Sequence, residues 1–199
     1  MVVAVALGVA LAAALLAGCG SSGGTTTTAP VAMASRLPPA GLVAGAAVRS
    51  TRELPTAIDL AGALRRADDP ATGQAVRRLE DAGYAGGAIR EWRGTDPTEG
   101  LTLMRAWVAR LRDGAAVRRE LQATIAEARS GQPASDVAIP GAPDARGILI
   151  DPGAGRAATL LVAAPRGGDL VAVQAVAPGA AALPADAIAR AFGRFVAGP

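Results

Sequence analysis

The chain predicts an α+β fold, one antiparallel sheet of about five strands packed with amphipathic helices in a single domain, and three observations carry that reading. Short apolar runs are joined by tight-turn chemistry, as in "DPGAGR" and "PRGGD", which makes hairpins. Other segments repeat apolar residues every three or four positions and so form helices with one buried face. Hairpins imply an antiparallel sheet, and amphipathic helices need a sheet face to cover.

The first element belongs to targeting. Residues Val2 to Gly18 carry no charge and contain only Val, Ala, Leu and Gly. As a helix they would rise about 25 Å, short of a ~30 Å hydrocarbon core. Their length and small-residue ending fit the apolar region of a signal peptide better than a membrane span. No Lys or Arg precedes the run, where export signals carry positive charge. Residues 20 to about 52 follow, opening with "GSSGGTTTTAP", a composition that buries no apolar surface and reads as a flexible linker. About 30 flexible residues would hold a domain roughly 30 Å from their attachment point.

The folded part is expected from about Leu54. "AIDLAGALRR" is a short helix. "DPATGQAVRRLEDAGY" is a second, with Asp69 as cap, Pro70 in the first turn, Val76 and Leu79 inward and Gly83 at its end. "GGAIREWRG" (Gly86 to Gly94) and "LTLMRAWVARL" (Leu101 to Leu111) are strands of one hairpin across "TDPTEG". Asp113 caps a third helix whose Val117, Leu121, Ile125 and Ala128 form one apolar stripe. Residues Ser130 to Asp144, with three prolines, read as loop. Strands ending at Ile150, Ala164 and Ala177 follow, and Pro184 opens a last helix with Ile188, Phe192 and Phe195 as its buried edge. Hairpin then helix thus occurs twice.

Composition limits the chemistry. All 20 basic residues are Arg, there is no His, and the only Cys is Cys19. Without His or Lys there is no Ser-His-Asp triad, no Ser-Lys dyad, no Schiff base and no ordinary zinc site. No catalytic residue, cofactor or metal site is predicted. Seventeen acids leave carboxylate-pair hydrolysis as the remaining enzymatic route, with Glu91, Asp96 and Glu99 around one hairpin turn. A net charge of +3 with Arg and acids alternating, and no basic block, argues against nucleic acid as a partner. Trp92 and Trp107 stand on neighbouring strands and, with Arg105, form a candidate ligand groove in which the guanidinium would hold an acidic group. "DPGAGR" lacks the ending of a phosphate loop and reads as a turn.

Leu16-Ala17-Gly18-Cys19 resembles the bacterial lipobox, in which an apolar residue and two small ones precede a cysteine. The resemblance implies cleavage after Gly18, a diacylglycerol on the Cys19 sulfur, and attachment to membrane lipid on the extracytoplasmic face. The chain then divides into a signal peptide (1–18), a lipid-anchored linker (19–52) and an extracytoplasmic domain (53–199). With Cys19 used by the anchor, the domain has no intramolecular disulfide and must hold together by its core. The Ala-, Gly-, Arg- and Pro-rich composition and stretches such as "AGYAGGAIREW" make the domain similar to small actinobacterial envelope lipoproteins and to PsbP-type folds. That resemblance carries over no functional residues. The expected function is a non-enzymatic binding or accessory module for an envelope ligand or protein; the alternative is a carboxylate-dependent hydrolase acting on envelope glycan.

Overall fold

A computed structural model describes residues 32–65, 69–94, 101–151, 153 and 156–198. The expected signal peptide (1–18), the expected lipidation site Cys19, the "TDPTEG" turn with Asp96 and Glu99, and the first part of the expected linker lie outside the described residues.

The fold is α+β, with a seven-stranded antiparallel sheet in place of the expected five strands. In chain order the strands are β1 (Ala46–Leu54), β2 (Gly87–Gly94), β3 (Leu103–Arg110), β4 (Ala134–Asp136), β5 (Arg146–Ile150), β6 (Ala158–Arg166) and β7 (Asp169–Ala177). The helices are α1 (Ala57–Leu64), α2 (Thr72–Asp81), α3 (Gly114–Arg129) and α4 (Ala185–Ala197). Across the sheet the order is β1-β2-β3-β7-β6-β5-β4. Two meanders, each followed by a helix, meet where β3 pairs with β7, so the echo of hairpin then helix has a spatial counterpart.

Both additional strands are edges. β1 reads "AAVRSTREL" and is mostly exposed, as suits an edge strand, where charged side chains also discourage pairing with other chains. It places residues 46–52 in the sheet, so the linker boundary drawn at residue 52 falls inside a strand. β4 is only three exposed residues paired with Ile148 to Ile150 inside the expected loop. The central strands are different. β7 has no exposed residue and reads "DLVAVQAVA" because helices cover both of its faces.

Those two faces carry separate cores. One packs Trp92, Met104, Val162 and Val173 beneath Ile188 and Phe192 of α4, together with Leu37 and Leu42 of the segment before β1. The other packs Ile89, Trp107, Leu161 and Leu170 beneath Leu60 of α1, Leu79 of α2, and Val117 and Leu121 of α3. The molecule is therefore layered helix, sheet, helices.

Caps explain the starts of α1 and α3. Thr56 and Asp59 make a reciprocal capping box on α1, and Asp113 accepts from the Ala116 N–H to open α3. That backbone hydrogen bond holds the Asp113 carboxyl below its ordinary pKa. Asp69 does not cap α2: its carboxylate accepts from the Ala71 N–H at 2.9 Å in the turn before the helix, and α2 begins at Thr72. Gly83, at φ +70°, ends that helix in the left-handed region.

The segment before β1 is bound to the domain at several points. Arg36 Nη1 lies 2.7 Å from Oδ2 of buried Asp169, which Arg110 also grips through both Nε and Nη2. That hydrogen-bonded contact raises the Arg110 pKa. Arg90 donates to the Pro38 carbonyl, and the Trp92 indole donates to the Ala40 carbonyl at 2.7 Å.

Candidate ligand-binding cleft

Alternation along each strand decides which sequence-predicted site residues meet. On β3, Arg105, Trp107 and Ala109 point to the three-helix face, whereas Met104, Ala106 and Val108 point to α4. On β2, Trp92 falls opposite Met104 and so joins the α4 face. The groove of Trp92, Trp107 and Arg105 is therefore split by the sheet. Arg105 and Trp107 share one face; Trp92 is 1% exposed on the other, a core residue with its indole N–H bound to a backbone carbonyl.

Arg105 and Trp107 line a cleft of about 730 Å³ between the sheet and α1, α2 and α3. That is within the usual size for a small-molecule site. Its floor is ordered by register. Glu91, Arg105, Gln174 and Leu161 are successive cross-strand partners on β2, β3, β7 and β6, and Thr159 lies two residues from Leu161. The next row, one pleat along, is Ile89, Trp107, Ala172 and Ala163. A row that is polar from Glu91 to Gln174 and apolar at Leu161 thus borders a wholly apolar one. Leu60 and Leu64 of α1, Leu79 of α2 and Thr124 of α3 form walls.

Arg105 is half-buried on the floor. Its Nε donates to Gln174 Oε1 at 2.7 Å, Nη1 to the Ala63 carbonyl at 2.9 Å and Nη2 to the Leu64 carbonyl at 2.7 Å. The carbonyls belong to the last turn of α1, where backbone acceptors lack helical partners and the helix dipole favours a cation. Burial pulls the Arg105 pKa down, and the Glu91 carboxylate across the strand pair opposes that shift. Glu91 itself accepts from Ser50 Oγ at 3.1 Å.

The cleft wall is ionic. Arg78 on α2 donates Nε to Glu120 Oε2 at 2.9 Å and Nη2 to Glu127 Oε2 at 3.2 Å, both on α3. Arg65, just past α1, pairs with Glu127 and, at 3.3 Å, with Asp69. Burial would lower the Arg78 pKa, but Glu120 and Glu127 reverse the effect and leave it raised. Thr124 Oγ1 reaches Glu120 at 3.4 Å. From the sequence, Asp69 is expected to cap a helix, and Arg65, Arg78, Glu120 and Glu127 have no assigned role. The overlooked signal is Glu120, Thr124 and Glu127 at i, i+4 and i+7, a polar stripe beside the apolar one.

Layers, strand order and a cleft roofed by three helices define a class: an α+β sandwich whose antiparallel sheet is covered on both faces. The solved extracellular domain of PknH from Mycobacterium tuberculosis shares this fold, with a TM-score of 0.52 at 12% identity, covering 82% of this chain and 94% of that one. At that identity the likeness concerns the fold alone. No family model matches the chain, and no curated protein matches it. Among the described residues no helix is long and apolar enough to cross a membrane, and no three His, Cys, Asp or Glu side chains gather as a metal site.

Proposed function

We propose that the protein is a lipid-anchored module on the extracytoplasmic face of the membrane, binding a small ligand or a partner's small group in the three-helix cleft without transforming it. One observation carries the reading: a cleft of about 730 Å³ whose floor joins a half-buried arginine to Trp107 and aliphatic side chains. Sites of that kind are apolar enclosures with a few placed polar groups. The "LAGC" lipobox supports the anchor, and the fold shared with an extracellular domain supports placement outside the membrane. Cys19 would carry the acyl chains, two of which suffice for stable attachment.

The carboxylates lining the cleft are each engaged by an arginine, Glu120 and Glu127 by Arg78 and Asp69 by Arg65, which favours a structural role for them. Assay of the protein against cell-wall glycans tests the absence of catalysis. No turnover is expected; turnover abolished by Glu91→Gln or Glu99→Gln would replace the binding module with a hydrolase. The anchor is tested by mass. Expressed with a complete export signal in a lipoprotein-competent host, the chain should begin at Cys19 with a diacylglycerol increment, and Cys19→Ser should lack both.

A further inference from the structure

We infer, granting that the cleft is the binding site, that its ligand is a small amphipathic anion: an acid group held by Arg105, with an apolar body lying over Trp107 and Leu161. The charge distribution supplies the first half. Arg65 and Arg78 are matched within the wall by Asp69, Glu120 and Glu127. Arg105 has no ion pair among the described residues. A guanidinium has five N–H donors, and three of those on Arg105 go to neutral acceptors. Two remain without a protein acceptor among the described residues. A half-buried cation held only by neutral oxygens gains more from an anion than an exposed one does, because the surroundings screen the pair less.

Register supplies the second half. Gln174 lies beside Arg105, and Thr159, on β6 beyond β7, lines the same cleft, so both offer further polar atoms, while Trp107, one pleat along, begins the apolar floor. An ionised group with no apolar body would leave that floor wet, and a neutral apolar molecule would leave Arg105 with unused donors. Carboxylates and phosphate monoesters both meet the requirement. Glu91, opposite Arg105, acts on the same ligand with the opposite sign.

The test uses octanoate, octyl phosphate and octan-1-ol, titrated calorimetrically into the anchored chain held in lipid nanodiscs, with empty nanodiscs as blank. At least one anion should bind, one molecule per chain, about tenfold more tightly than octan-1-ol, the factor expected of one charge-assisted contact. The tighter anion identifies carboxylate or phosphate as the recognised group. Arg105→Gln should erase the preference over the alcohol, and Glu91→Gln should widen it. Should Arg105→Gln fail to fold, wild-type selectivity and Glu91→Gln still decide. Octan-1-ol binding as tightly as both anions, or a selectivity indifferent to Glu91→Gln, overturns the anion assignment and leaves the cleft as a binding site. Failure of all three probes to bind overturns the assignment and the cleft reading together.

Discussion

Gly193 lies inside α4, where alanine would ordinarily be the better helix former by about 1 kcal/mol. The structure reverses the sign. A Cβ at Gly193 would stand 2.1 Å from the Pro140 carbonyl oxygen, 3.2 Å from its carbon and 3.4 Å from Ile139 Cγ2. Backbone cannot swing aside as a side-chain tip can, so α4 must lift from the 139–140 loop or the loop must move. Overpacking of this kind costs about 1–3 kcal/mol, and a contact this close belongs at the upper end. Subtracting the helix gain leaves Gly193→Ala about 2 kcal/mol less stable. For a domain of this size that lowers Tm by about 4–8 °C. Gly62 in α1 is the control: nothing lies within 4 Å of its would-be Cβ, so Gly62→Ala should raise Tm by about 2 °C. Thermal melts by circular dichroism compare the three chains. Gly193→Ala melting at or above wild type would refute the docking of α4 described above.

Asp169→Asn should cost about 3 kcal/mol, the low end for a broken buried pair because both arginines remain about one-third exposed, and should make residues 32–45 the first site of limited proteolysis. Equal protease resistance in the variant would remove Arg36–Asp169 as the clasp. A chain beginning at Arg52 loses buried Leu37 and Leu42 and most of β1, so it should be less stable than one beginning at residue 32 by roughly 3–6 kcal/mol from the leucines alone. The chain from residue 32 should melt in one transition with or without reductant, since it contains no cysteine. Asp113 has a lowered folded pKa, so the stability due to its charge is present above the ordinary carboxylate value of about 3.9 and is lost as pH falls through the folded value. The stability difference between wild type and Asp113→Asn should therefore shrink in acid denaturation series below about pH 4; a constant difference would contradict the cap's charge.

Local chemistry made most elements legible. The Asp113 cap, the stripe from Val117 to Ala128, and the pairing of β2 with β3 and of β6 with β7 follow from short-range spacing and turn residues. β1 was hidden because an edge strand needs no alternating apolar face: "RSTRE" reads as linker until β2 pairs with it. β4, at three residues, is too short to leave a period. Strand order across the sheet is non-local, since nothing within β3 names β7 as its neighbour.

The candidate site was legible in part. Arg105 inside an apolar strand is visible without a structure, and Trp107 two residues on shares its face. Trp92 could be excluded only by the hairpin register, which sets it opposite Met104 and so facing α4. Gln174, Arg78 and Glu120 join the cleft through pairings between distant segments, which the sequence does not encode locally.

The two tryptophans give the most direct test of the three-helix cleft as the binding site, because the sheet separates them. In ¹⁵N-resolved spectra of the protein, octanoate and octan-1-ol are added separately and the two indole N–H signals followed. Trp107, on the cleft floor, should shift with at least one probe, while Trp92, whose indole binds the Ala40 carbonyl beneath the other layer, should stay in place. A shift of Trp92 alone, or of neither signal, would contradict the account.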